Sequence, residues 1–196
     1  MRAFVAIPSE AMWVESARGL VERLRASRPR AVWTRPESWH LTLRFLGDGV
    51  SPAFVSRFAE DVGTAALETV PGEILAGPPA VFPERGRARV LGVGFAPSPG
   101  LESISNLARR AEEAVVRLRS PAEDRPFHAH VTFTRIRESW PEEAVEEYRR
   151  EVAAWTFPPW LARSCVLFES RLGPDGAVHT PLHEWTFQGG PRGIRA

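Results

Sequence analysis

The chain has 196 residues, of which 43% are hydrophobic and 25% charged, and its formal net charge is +1. These values are typical of a single globular domain, and they exclude the broad basic surface of a protein that coats nucleic acid. A single cysteine excludes an internal disulfide and suits a reducing compartment, and no apolar run reaches the roughly 18 residues of a membrane helix, so we expect a cytoplasmic protein that does not bind membranes.

The first third of the sequence predicts two strands and two helices in alternation. Residues 2–7 predict a strand, and apolar residues from Trp13 to Leu24 then follow a helical period. Polar and apolar residues alternate over 40–47, which predicts a second strand. The pair Ser51-Pro52 predicts the start of the second helix.

The remaining chain predicts more strands around two further helices. Residues 70–75 and 90–95 predict strands joined by a proline-rich loop that holds Pro78 and Pro79. Ser98-Pro99 predicts the start of a third helix, and Ser139 is the expected cap of a fourth. The last two strands, 161–170 and 177–187, flank a turn signal at 173–176.

One short pattern occurs twice, each time inside a predicted strand. Segments 40–43 (HLTL) and 130–133 (HVTF) both have a histidine, an apolar residue, a threonine and an apolar residue in that order. In a strand, side chains i and i+2 point to the same face, about 6.5 to 7 Å apart. Each copy therefore presents one imidazole and one hydroxyl group together. These four candidate catalytic residues are His40, Thr42, His130 and Thr132.

Two imidazoles and two hydroxyl groups around one space suit phosphodiester chemistry that needs no metal. A neutral imidazole can take a proton from an attacking oxygen, and a protonated one can give a proton to the leaving oxygen. The threonines can donate hydrogen bonds to the non-bridging oxygens, where negative charge develops. The pattern therefore predicts a phosphodiester site without a cofactor.

Both copies and their flanking segments resemble the two-histidine (2H) phosphoesterases, and within them the RNA 2′,3′-cyclic phosphodiesterases first described as 2′-5′ RNA ligases. The resemblance rests on RAFVAIP at 2–8, on VW at 32–33 through HLTLRFLG at 40–47, and on RPF at 125–127 through HVTFTR at 130–135. The family usually has a proline before the second histidine, where this chain has Ala129.

The resemblance implies a single α+β domain over residues 1–196. Because each copy of the pattern lies in a strand that is followed by a helix, the sequence itself predicts a distant duplication into two lobes, divided near residues 67–70. Each lobe would have an antiparallel sheet backed by helices. His40 and His130 would lie on neighbouring central strands that face one cleft. The implied activity is hydrolysis of RNA ends that carry a 2′,3′-cyclic phosphate to 2′-phosphate ends, by a monomer, with possible reversal to 2′-5′ ligation.

The resemblance also implies individual roles. His130 would be the general base that activates water, and His40 the general acid that protonates the leaving 3′ oxygen. Arg135 matches the arginine that closes the second signature and is expected to bind the phosphate. Arg44 shares the parity of His40 along its strand, so we expect it on the same face and within reach of the phosphate.

Three alternatives stay open at this point. The same cleft could bind RNA ends without catalysis, or could act on a small ADP-ribose cyclic phosphate. His128 and His130 could also form a metal site with His179 and His183, although no cluster of acidic ligands accompanies them.

Overall fold

The computed structural model describes residues 1–28, 31–123, 125–136, 140–173 and 176–189. The strands are β1 (Ala3–Pro8), β2 (His40–Gly47), β3 (Gly72–Phe82), β4 (Val90–Ala96), β5 (His130–Arg135), β6 (Trp160–Ala162), β7 (Ser164–Gly173) and β8 (Gly176–Thr186). The helices are α1 (Ala11–Ser27), α2 (Pro52–Glu68), α3 (Pro99–Arg117) and α4 (Glu142–Ala154). The strands form one sheet in the order β6-β3-β4-β5-β2-β1-β7-β8, and each strand pairs antiparallel with its neighbours.

The sheet consists of two halves with the same order of connections. In one half β1, α1 and β2 follow one another, and in the other β4, α3 and β5 do so. The strands β2 and β5 meet at the centre, so the two expected lobes share a continuous sheet. The chain crosses to the second half after α2, near residues 67–70, but β7 and β8 return to pair beside β1. The halves are therefore interleaved in the sequence.

The predicted helix starts at two serines are confirmed. The hydroxyl group of Ser51 accepts a hydrogen bond of 3.1 Å from a backbone N–H three residues later, and that of Ser98 does the same at 3.1 Å. Pro52 and Pro99 follow as the first helical residues, where a missing N–H costs no intrahelical bond.

The predicted loop around Pro78 and Pro79 is wrong, because β3 continues to Phe82. The register between β3 and β4 is irregular between Ala76 and Pro79. On its other side β3 pairs with β6 only through the segment 72–74. Prolines fit a strand where the outer edge has no ladder to complete.

The expected single strand over 161–170 is wrong, because the chain leaves the ladder at Arg163. Residues before it form β6, which pairs with β3, and residues after it form β7, which pairs with β1. The final hairpin joins β7 to β8 at Gly173 and Gly176, as predicted, and the two turn residues between them lie outside the described part. The expected cap Ser139 also lies outside it, and α4 begins after Pro141 without a side-chain cap. None of the helices in the described residues has the apolar length that a bilayer crossing requires.

Candidate active site

The two copies of the histidine-threonine pattern lie side by side at the centre of the sheet. Strands β2 and β5 pair antiparallel at Leu41 and Val131, whose side chains are completely buried. This register places His40 opposite Thr132 and Thr42 opposite His130, and all four are half-buried. The two histidines occupy diagonal positions, which lie about 7 to 8 Å apart in a regular pair.

A β-bulge follows the threonine in each copy. In β2, Thr42 pairs with Ala6 and Arg44 with Val5, so Leu43 has no partner of its own. A bulge places two residues of one strand opposite one residue of its neighbour and reverses the alternation beyond it. Positions 40, 42 and 45 of β2 are half-buried whereas 41, 43 and 44 are buried, which is the pattern that this reversal produces.

Strand β5 also has a β-bulge directly after the threonine of its pattern. Thr132 pairs with Gly92 and Thr134 with Leu91, so Phe133 is the additional residue. Thr134 is consequently buried and turned to the opposite face. Arg135 lies beyond the bulge, exposed, on the face of His130.

The expectation that Arg44 lies beside His40 is wrong, because simple parity does not hold across the bulge. Only 9% of Arg44 is exposed. Its guanidinium forms ion pairs with Glu112 and, at 3.1 Å, with Glu123, and donates a hydrogen bond of 2.9 Å to the carbonyl oxygen of Pro121. Arg44 therefore connects β2 to α3 and the loop after it, on the side away from the histidines.

Arg135 does belong to the histidine face. After burial, its positive charge is one of the causes that lower the pKa of His40 and of His130. Although the residue is exposed, partial burial of its guanidinium lowers the pKa of Arg135, and the charge of Arg2 lowers it further.

His130 is oriented by the main chain. Its Nδ1 lies 2.7 Å from the carbonyl oxygen of His128. Because a carbonyl can only accept, Nδ1 carries the hydrogen, and Nε2 is left as the site of proton exchange. Burial lowers the pKa of His130, the carbonyl opposes this shift, and Arg135 and His128 lower it further. The ring of Phe82 lies 4.8 Å away between centroids.

His40 lies in an aromatic cluster. Its ring stacks on Phe4 at 4.7 Å between centroids and meets the edge of His179 at 5.3 Å, and Phe168 stacks on Phe4 at 5.3 Å. Burial, followed by the charge of His179, lowers the pKa of His40 from 6.5 to about 4, although a hydrogen bond to the backbone of Ser38 acts in the opposite direction. His40 is thus neutral at pH 7 when the site holds no anion.

His179 is a neighbour of the site that the sequence predicts only as a metal-ligand candidate. It lies on β8, opposite Ser170 of β7, and the hairpin register carries it to His40. Burial lowers its pKa, as do the charges of Arg2 and Arg35. The alternation of β8 could have indicated which face His179 lies on. The sequence near His179 does not show that β7 pairs with β1, and this pairing is what brings His179 to His40.

The metal alternative receives no support from the placement of the histidines. An irregularity between Leu167 and Phe168 of β7 and their β8 partners turns His183 to the other face, where it stacks on Trp185 at 5.7 Å. Within the described residues, no three side chains of histidine, cysteine, aspartate or glutamate form a metal-binding group.

Two cavities lie near the histidine strands. A cavity of about 430 Å³ lies beside His40, between Trp39, Phe168 and His179. Another, of about 520 Å³, lies beside Phe82, Phe127 and His128. The first cavity thus reaches His40 itself, and the second reaches His128 and Ala129, the two residues that precede His130.

The known proteins that resemble this chain in sequence are phosphoesterases. The sequence matches the model of the LigT-like phosphoesterase family twice, over residues 8–91 and 95–179. A protein of Aquifex aeolicus named RNA 2′,3′-cyclic phosphodiesterase is 28% identical over 162 residues, which cover 80% of this chain and 82% of that protein. A protein of Archaeoglobus fulgidus with the same name is 28% identical, and the match covers 93% of this chain and 98% of that protein.

Solved structures have the same fold. The crystal structure of TT0787 of Thermus thermophilus superposes with a TM-score of 0.75 at 26% identity, and the match covers 96% of this chain and 99% of that chain. Each of the two matches to one family model contains one copy of the histidine-threonine pattern, and the expected duplicated α+β architecture is confirmed.

Proposed function

Because the chain belongs to the LigT-like phosphoesterase family, we propose that this enzyme hydrolyses RNA 2′,3′-cyclic phosphate ends to 2′-phosphate ends by paired-histidine catalysis. The observation that carries the proposal is the pairing of β2 with β5, which puts both histidine-threonine patterns on one face. The names of the relatives from Aquifex aeolicus and Archaeoglobus fulgidus support this choice of substrate. The single buried cysteine supports a reducing, cytoplasmic location, and we propose that the protein acts as a monomer.

In the proposed reaction, water attacks phosphorus and the bond from phosphorus to the 3′ oxygen breaks. His130 takes the proton of the water at Nε2, which is free because Nδ1 is bonded to the main chain. His40 gives its proton to the 3′ oxygen, so the products are a 2′-phosphate and a 3′-hydroxyl. If the 5′-hydroxyl of another RNA replaced water, the same two steps would form a 2′-5′ linkage.

The low pKa of His40 gives the substrate a part in this mechanism. With a pKa of about 4, His40 is rarely protonated in the free enzyme at pH 7. A bound phosphate anion favours the charged imidazolium, so binding of the substrate would supply the condition under which His40 holds the proton it must donate.

The other polar groups would bind the phosphate. Thr42 and Thr132 lie on the histidine face and can each donate a hydrogen bond to a non-bridging oxygen. Arg135, beyond the bulge, can bind the same oxygens as a charged donor. Arg44 has no part in this proposal because it is buried on the other side.

A short RNA that ends in a 2′,3′-cyclic phosphate, incubated with the enzyme in excess EDTA, tests the proposal. We expect hydrolysis to a 2′-phosphate despite the chelator. His40→Ala and His130→Ala should each lose about 10²- to 10⁴-fold in turnover, whereas His183→Ala, on the opposite face, should retain it. Tight binding without turnover would instead show an RNA-end-binding module, and preference for a small ADP-ribose cyclic phosphate would change the substrate class.

A substrate with sulfur in place of the leaving 3′ oxygen separates the two roles. A thiolate leaves with little need for protonation, so this substrate should restore turnover to His40→Ala but not to His130→Ala. Restoration of His130→Ala alone would exchange the roles.

A further inference from the structure

The two halves of the site differ at the position that follows each bulge. Arg135 stands five residues after His130 and carries a guanidinium onto the histidine face. The corresponding residue in β2, five after His40, is Phe45. The first half therefore has a ring where the second half has a cation.

Arg2 covers that ring. Its Cζ lies 4.6 Å from the centroid of the Phe45 ring. Phe4 pairs with Phe45 across β1 and β2 and stacks on His40, so even-numbered residues of β1 lie on the histidine face. Arg2 continues that alternation. A guanidinium thus occupies the same relative place in both halves, from β5 in one and from the start of β1 in the other.

The charges around the site agree with this placement. The positive charge of Arg2 lowers the pKa of Arg135 and also that of His179, which contacts His40. These effects are secondary to burial in both groups, and the position of Arg2 itself rests on its contact with the ring of Phe45.

Arg2 retains donors for a ligand. Its Nη1 lies 3.0 Å from Oδ1 of Asp48, and 36% of the Arg2 side chain and 72% of that of Asp48 are exposed. An ion pair that is this exposed to water is weak, so a bound anion can compete with Asp48 for the guanidinium. A guanidinium has five N–H donors, so one bond to Asp48 leaves most of them available.

We propose that Arg2 binds the reacting phosphate opposite Arg135, so that each non-bridging oxygen meets a threonine and an arginine from one half of the molecule. The inference deepens the proposed function and rests on it. Because negative charge on these oxygens develops in the transition state, Arg2 would contribute to turnover as well as to binding.

The experiment compares Arg2→Ala and Arg2→Lys with Asp48→Asn, which keeps the arginine and removes its ion-pair partner. The substrates are a nucleoside 2′,3′-cyclic phosphate, with one phosphate, and a trinucleotide with the same end. We expect Arg2→Ala to lower kcat/KM at least about tenfold for both substrates. Arg2→Lys should recover part of the loss, since a lysine keeps the charge but not the planar fork, and Asp48→Asn should match the wild type.

Three results would overturn the inference. An equal loss in Asp48→Asn would mean that the ion pair only holds β1 in place. A loss confined to the trinucleotide would mean that Arg2 binds a different phosphate, and no loss would mean that it binds none. Wild-type hydrolysis alongside any of these would leave the proposed function intact, whereas an inactive wild type would contradict that function itself.

Inorganic phosphate gives a second measurement that needs no turnover. Its dissociation constant, followed by calorimetry, should rise at least about tenfold in Arg2→Ala and remain unchanged in Asp48→Asn. An unchanged constant in Arg2→Ala would contradict the contact.

Discussion

His40 should make the folded protein less stable in mildly acidic solution. Burial and its positive neighbours lower its pKa from 6.5 to about 4. Between these two values the unfolded chain binds a proton at this residue that the folded chain does not, so the free energy of unfolding falls as the pH falls. At about 1.4 kcal/mol for each pH unit between the two pKa values, the loss approaches about 3 kcal/mol below pH 4. Above pH 6.5 it disappears.

The variant His40→Asn removes this dependence while keeping a polar side chain. Urea unfolding of wild type and variant at about pH 7.5, 6.0 and 4.5 gives the free energies to compare. The wild type should lose about 2 to 3 kcal/mol more than the variant between the highest and the lowest pH. His183→Asn, on the opposite face, is the control for loss of a histidine as such.

Parallel pH curves for wild type and His40→Asn would refute the reasoning. A proton NMR titration measures the pKa of His40 directly. The imidazole should remain neutral well below about pH 6. A pKa near the ordinary value of about 6.5 would show that its surroundings do not disfavour the charge.

Two further predictions concern Arg44, on the face of β2 away from the histidines, and Gly92, where β4 lies close to the backbone of β5. Arg44→Met should lower the free energy of unfolding by about 1 to 3 kcal/mol, because Glu112 and Glu123 lose their cation. The kcat/KM of the folded enzyme should not change, and a lower kcat/KM would show that Arg44 does bind the phosphate. Gly92→Ala should destabilise by about 3 kcal/mol or more, since its Cβ would lie 1.9 Å from a backbone oxygen of β5. Gly94→Ala, whose nearest contact would be 3.1 Å, should cost clearly less in the same urea experiment, and equal losses would contradict this reading of the contact.

Local sequence was sufficient for the parts of the site that depend on alternation alone. The order histidine, apolar, threonine, apolar places His40 with Thr42 and His130 with Thr132 in any strand, whatever its neighbours. The serines before α2 and α3 likewise mark helix starts because the capping bond spans three residues. Repetition of the first pattern was enough to predict a duplicated architecture.

The bulges after Thr42 and Thr132 could not be predicted in this way. A bulge exists only relative to the strand beside it, and β1 and β4 are not encoded in the segments that carry the histidines. Parity therefore predicted Arg44 on the histidine face, although it lies on the opposite face. The bulge in β5, which only the paired structure shows, explains how Arg135 lies on the histidine face.

The aromatic surroundings of His40 are a product of the tertiary structure alone. Phe4, Phe168 and His179 come from three strands, and they meet because β7 returns across the molecule to pair with β1. The sequence determined that an imidazole would face a cleft. Its low pKa depends on burial by distant residues, because desolvation reflects everything that displaces water from the ring, and no local pattern contains that information.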